Sequence, residues 1–176
     1  MGKSCLPETR FVTGRLPLLA ALCAAAFMLG GCAGEVSPNA AVPSMYLPLT
    51  TQSAAVDTAA ARDMISAYRR NNGAGTLTID PELQKLAETE AAAMAVADKP
   101  SNSQTVRNAI GRLGYAGAEA NLSAGYHTLA EAFSGWRESK PHNAVMLDPN
   151  ATRMGIATAY APGSKYKVYW ALLVAR

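Results

Sequence analysis

Read from its hydrophobic and polar positions, the chain changes character three times. Leu16 to Leu29 is an almost unbroken apolar run behind a short basic stretch. Residues 33 to about 55 show no period and are rich in Ala, Ser, Thr and Pro. From Asp57 the apolar positions recur at helical spacing, and from Met154 they alternate with the period of two that marks a strand.

A first helix is predicted from Asp57 to Asn71, with Ala61, Met64, Ile65 and Tyr68 on one stripe and Arg62, Asp63, Arg69 and Arg70 facing elsewhere. Gly73 helps to stop it, and residues 75–79 form a short extended connection. Asp80-Pro81-Glu82 announces a second helix, because Asp80 caps free N–H groups and Pro81 sits where its missing N–H costs nothing. Leu83, Leu86, Ala87, Ala91 and Met94 carry that helix to about Asp98, and Lys99-Pro100 breaks it. A third, shorter helix covers Ser103 to Leu113, burying Val106, Ile110 and Leu113. Residues 119–124 are short and mixed, with strand character. Thr128 and Glu131 form a capping box that opens a fourth helix, along which Leu129, Phe133 and Trp136 stack. Pro141 cannot continue that helix and is expected to turn the chain just before His142.

Met154 to Ala161, a turn at Pro162-Gly163-Ser164, and a strand in which Tyr166, Val168, Trp170 and Leu172 alternate with Lys167, Tyr169 and Ala171 make an antiparallel hairpin. Helices first and a hairpin last predict an α+β fold with helices packed on a mainly antiparallel sheet. No glycine-rich phosphate loop follows a strand, so a nucleotide cofactor has no support.

The N-terminus changes what enters that fold. Lys3, Arg10 and Arg15 against Glu8 make a basic lead, and the run behind it is about 14 residues, short of the roughly 20 that cross a bilayer. Leu29-Gly30-Gly31-Cys32 closes the run and resembles the lipobox of bacterial lipoproteins. The resemblance makes residues 1–31 a signal segment and Cys32 the acylated first residue of the mature chain, anchored to membrane lipid. An ordinary secretory signal and an uncleaved anchor are the alternatives; N-terminal myristoylation fits poorly, since Leu6 stands where that motif needs Ser or Thr. In a Gram-negative cell, Ala33 after the cysteine implies the periplasmic face of the outer membrane, by resemblance to the sorting rule. Residues 32–55 then read as a tether and 56–176 as one domain.

Processing would take the formal charge from +3 to +1, by removing three basic residues and one acidic one. Neither a basic stripe nor interleaved aromatics remain, which argues against nucleic-acid binding. The mature domain would also hold no thiol, since Cys5 and Cys23 leave with the signal.

Within the domain, an ordered series of fragments resembles the CAP superfamily of cysteine-rich secretory and pathogenesis-related type-1 proteins, in its bacterial form. The series is Ile65-Ser66-Ala67-Tyr68-Arg69, Leu77 to Leu83, Ala87 with Ala91 to Ala95, Arg112-Leu113-Gly114-Tyr115, Asn121 to Gly125, Trp136 to His142, and Met154-Gly155-Ile156-Ala157 with Tyr169-Trp170. It implies a three-layer α–β–α sandwich. The family's groove usually holds two His and two Glu able to bind Zn²⁺ or Ca²⁺, and here that set is damaged. His142 matches one histidine, and Asn121 the Asn of a Glu-Asn pair, but Ala120 occupies the Glu place. Glu119 is adjacent, yet neighbours in a strand point to opposite faces, so it can substitute only through a bulge or a register change. No histidine lies around Ser101 to Ser103, where the first is expected, and Ser66 replaces a usual Asn.

His142, Glu119, Asn121 and His127 are therefore the candidate groove residues, with Tyr115, Tyr126 and Tyr160 as further lining. His127 also reads as a helix-entry residue, and Trp136 as core. No resident cofactor is expected; His142 is the one position at which Zn²⁺ or Ca²⁺ has a candidate ligand. The leading reading is a non-catalytic, membrane-tethered binding module for a lipid, glycan or envelope protein. A hydrolase using His142 with Ser139 or Glu119 is the alternative, and a purely structural envelope protein the third reading.

Overall fold

The computed structural model describes residues 41–53 and 55–176. Residues 1–31, expected as a signal segment, Cys32 and the first part of the expected tether lie outside the described residues.

The helices begin where their caps dictate. The Asp57 carboxylate accepts from the Ala60 N–H at the start of α1, Thr58–Asn71. Asp80 accepts from Glu82 and Leu83 at the start of α2, Pro81–Ala97, which follows the short β1, Thr78–Ile79. Asn102 caps α3, Ser103–Arg112, and Thr128 caps α4, Leu129–Glu138. Glu131 closes the predicted box one residue further upstream, accepting from the His127 N–H at 2.7 Å. Pro141 does stop α4, but instead of only turning the chain it sits in the first turn of a further helix, α5, Lys140–Met146, with Ser139 as the shared cap. A proline costs nothing there, so His142 lies on a helix and not in a loop.

β2, Glu119–Ala124, β3, Arg153–Tyr160, and β4, Val168–Ala175, join β1 in a four-stranded sheet of order β1-β3-β4-β2. Only β1 pairs in parallel, with β3; the other pairings are antiparallel. All eight residues of β4 are buried. Val168, Trp170, Leu172 and Val174 enter the core under α1, α4 and α5, while Tyr169, Ala171, Leu173 and Ala175 enter the core under α2 and α3. The alternation foreseen in this strand thus separates two cores, and the fold is an α–β–α sandwich. Lys167, expected inside the strand, lies before it with a positive φ of 65°.

Two features bind the layers. Gly155, Ala157 and Ala159 present a smooth face to α2, where Ala87 and Ala91 are fully buried, so the helix backbone lies almost on the strand. Gln84 completes the seam, its amide donating to the Ile156 carbonyl at 2.9 Å and accepting from the Ile156 N–H at 3.0 Å. On the other side, Arg69 is 0 % exposed, against its expected outward position. Its guanidinium donates to the carbonyls of Gly75, Met146, Asp148 and Ala151, tying α1 to the loop before β1, to the end of α5 and to the segment that leads into β3. The last part of the segment read as tether also lies on the domain: Ser44–Tyr46 forms a 3-10 turn, Met45 packs on the core, and Leu49 is buried.

Candidate functional site

Of the expected groove residues, Glu119 and Asn121 lie on β2, an edge strand whose six residues pair with β4 in unbroken register from Glu119 opposite Val174 to Ala124 opposite Tyr169. With no bulge, Ala120 and Leu122 face the α2/α3 core, and Glu119, Asn121 and Ser123 face α4 and α5. Glu119 therefore does not take over the position of Ala120.

Asn121 is fully buried and its amide donates to the backbone carbonyl of His142 at 2.9 Å, while its Oδ1 meets no partner among the described residues. Ser123 accepts from the Trp136 indole at 3.0 Å. This polar face of β2 thus fastens α4 and α5 to the sheet. Trp136 is core, edge-on to Trp170.

His142 is half-buried, and loss of hydration holds the pKa of its imidazole below the ordinary histidine value. Among the described residues no hydrogen bond joins it to Ser139 or Glu119. Glu119 is instead engaged by Arg107, Nη1 to Oε2 at 2.8 Å. His127 is exposed and contributes backbone only, its carbonyl accepting from Leu49 at 2.8 Å. It follows the far end of β2, so His127 and Glu119 do not converge on one site.

The cleft opens beside Glu119. A cavity of about 550 Å³ is lined by Arg107, Glu119, Arg176, Asp148 and the Pro141 and Ala144 side of α5. An adjoining cavity of about 500 Å³ shares Arg107, Gly117 and Glu119 and reaches Tyr115. The Arg107–Glu119 pair stands where the two adjoin. Both partners remain about a third exposed, so the pair is worth at most about 1 kcal/mol and either charge is free to turn to a ligand. Neither cavity is lined by His142 or Asn121. Tyr115 is the expected aromatic that lines this region; its hydroxyl donates to Asp80 at 2.7 Å and Glu82 at 3.0 Å, and the Asp80 carboxylate foremost drives its pKa well up.

A metal does not fit this arrangement. Among the described residues no group of three or more His, Cys, Asp or Glu side chains is placed to hold an ion. A stable zinc centre wants three or four ligands, whereas Ala120 faces the other layer and Glu119 is paired with Arg107.

An α–β–α sandwich with helices on both faces of a short mixed sheet, and a polar cleft at its β2 edge, defines the class. The model of the CAP family, the cysteine-rich secretory protein family, matches residues 62–174, more than half of the chain, and the protein belongs to that family. No curated protein matches. Among solved structures, the chain is similar to an extracellular protein containing an SCP domain from Bacillus anthracis, at 18 % identity and a TM-score of 0.56, over 68 % of this chain and 40 % of that one. A cysteine-rich secretory protein from Staphylococcus aureus aligns at 15 % identity and TM-score 0.54, over 67 % and 37 %. An outer surface protein of Borrelia burgdorferi aligns at 15 % identity and TM-score 0.57, over 65 % and 88 %. The chain spans about two fifths of the length of the first two, and these likenesses are of fold.

Sequence reasoning missed Arg107, Asp148 and Arg176. No local pattern marks them, since Arg107 is a polar residue on a helix and meets Glu119 only through the loop that brings α3 back to β2.

Proposed function

We propose that the chain is a non-catalytic binding module of the cell envelope, exported, anchored through an acylated Cys32, and carrying its ligand in the cleft between α3, β2 and α5. The observation that carries the reading is the cleft's wall: Arg107 and Glu119 hold one another weakly in a cavity large enough for a small polar ligand, and among the described residues no base–nucleophile pair lines it. Catalysis of hydrolysis needs a base against a nucleophile and donors for developing charge. His142 has neither Ser139 nor Glu119 within hydrogen-bonding contact. Export is supported by the lipobox-like Leu29-Gly30-Gly31-Cys32 and by the descriptions of the three similar proteins as extracellular, secretory and outer-surface respectively. In a Gram-negative cell the anchor would lie in the periplasmic face of the outer membrane.

The test is retention of soluble peptidoglycan fragments and of short-chain phospholipid by the full chain, with Arg107→Ala/Glu119→Ala as the paired variant. Binding of one probe by the wild type, lost in the variant and unaccompanied by turnover, is the expected result. Turnover of a probe that His142→Ala abolishes would replace this reading with a hydrolase, and retention of neither probe would leave the structural role.

A further inference from the structure

We propose that the segment Val42–Leu47 is a lipid-contacting foot, which rests on the anchoring bilayer and holds the domain with its cleft turned away from that surface. The inference deepens the proposed function and rests on its reading of Cys32 as the lipid-bearing residue.

Three of the domain's exposed large apolar side chains fall within these six residues: Val42 at 61 %, Tyr46 at 56 % and Leu47 at 47 %. Isolated apolar side chains on a surface need no explanation, but a cluster at one place does. No charged residue occurs from Val36 to Val56, so nothing in the segment resists partial burial among headgroups, and tyrosine is a residue type that settles at that level. The backbone beneath is fixed to the domain. Leu47 N–H donates to the Ser44 carbonyl at 3.1 Å, the Ser44 hydroxyl to Asp57 at 2.8 Å, and the Leu49 N–H to the His127 carbonyl at 2.8 Å. The exposed side chains are therefore held outward by a rigid support and not by a loose tail.

Lipid is the occupant that chain length selects. Val42 lies ten residues beyond Cys32. Fully extended, that stretch reaches about 35 Å at most, so an acylated Cys32 keeps the foot within that distance of the bilayer, where contact with lipid is in reach. The orientation follows from β2. The foot is bonded near His127, just past the strand's last residue, Ala124, whereas the cleft opens at its first residue, Glu119. Five strand steps separate these ends by about 17 Å. A ligand then enters the cleft from the space beyond the anchoring leaflet, not out of the leaflet itself.

The full chain would be reconstituted into vesicles of phosphatidylethanolamine and phosphatidylglycerol, with acyl chains brominated near the headgroup. Trp136 and Trp170 are both 0 % exposed and contribute a nearly constant background. With Tyr46→Trp, the added indole should lose about twofold of its emission relative to unbrominated vesicles, as for an aromatic at the headgroup level. Adding Val42→Asp and Leu47→Asp should abolish that loss. Leu113→Trp is the control: Leu113 is also 56 % exposed but lies at the cleft end, beside Glu82 and Tyr115, and should stay unquenched. Equal quenching at both positions overturns the orientation. A blue shift at position 46 without bromine quenching means that a protein covers the foot, and overturns the lipid contact. Acylation is read separately from the mass of the N-terminal peptide. If that shows no acyl chain, the anchor reading fails, and the foot stands or falls on the same quenching at saturating vesicle concentration.

Discussion

Adding one methyl group at Gly155 should be among the most damaging small changes available to this domain. A Cβ built there would stand 2.3 Å from the carbonyl carbon and oxygen of Leu83 and 2.4 Å from the Gln84 nitrogen. These are backbone atoms of α2 and cannot swing aside, and ordinary contact needs roughly 3.5 Å, so the helix must retreat by about 1 Å. Overpacking of this kind costs about 1–3 kcal/mol. Retreat also stretches the two Gln84–Ile156 hydrogen bonds, at about 1 kcal/mol each. The expected loss is about 3–5 kcal/mol, a large part of the roughly 5–15 kcal/mol that holds a domain folded. Urea unfolding of Gly155→Ala should show a lower midpoint at unchanged slope. Gly111, in α3 with open space around its Cβ position, is the opposite control: Gly111→Ala should gain up to about 1 kcal/mol. A Gly155→Ala protein within about 0.5 kcal/mol of wild type would refute the argument that this glycine sets the helix–sheet distance.

Arg69→Met should cost about 3–5 kcal/mol in the same assay, because it strands buried carbonyls, and Arg69→Lys should recover little, since one ammonium cannot reach four acceptors; full stability in either variant would sink the tether. Asp98 is held below its ordinary value by the hydroxyls of Ser164 and Tyr169, and Asp57 chiefly by the Ala60 N–H. For Asp80 burial pushes upward, but the Tyr115 hydroxyl, backbone N–H groups and Arg153 outweigh it. Below about pH 4 the unfolded chain takes up these protons first, so the stabilisation is present above that value and lost as pH falls through the folded values. The melting temperature should drop over that range, and Asp98→Asn should shallow the drop; an unchanged acid limb would count against the Asp98 contacts. Finally, proton NMR should place the His142 midpoint below 6.5, and calorimetric titration with Zn²⁺ should show no stoichiometric sub-micromolar binding. Tight binding abolished by His142→Ala would mean that the site rearranges around an ion.

What the sequence revealed was what local chemistry decides. Asp80-Pro81, Thr128 and the period of two in Tyr169-Trp170-Ala171-Leu172 each specify a structure within a few residues, and the helices and hairpin were legible from them. Arg69 was misplaced because its helix position points away from the apolar stripe; only the end of α5 and the chain after it bring three of its four carbonyls to it. α5 was missed because Pro141 ends one helix and begins another, and the sequence signal for the two is the same residue. The resemblance of the ordered fragments indicated the family, but not the cleft. Arg107 and Glu119 are 12 positions apart and meet only because the loop after α3 folds back along the β2 edge.

The residues that make the fold and those that line the proposed cleft are almost entirely separate sets. Gly155, Gln84, Arg69 and the doubly buried β4 hold the layers together from the middle of the sheet, and the polar face of β2 spends Asn121 and Ser123 on fastening α4 and α5. Glu119 and Arg107 lie at the rim, about a third exposed, where substitutions usually change stability by no more than about 0.5 kcal/mol. A chain built this way can lose Glu at position 120 and a histidine near Ser101 without losing the sandwich. It can then carry other charges at the rim, so family membership fixes the scaffold here but not what the proposed cleft would hold.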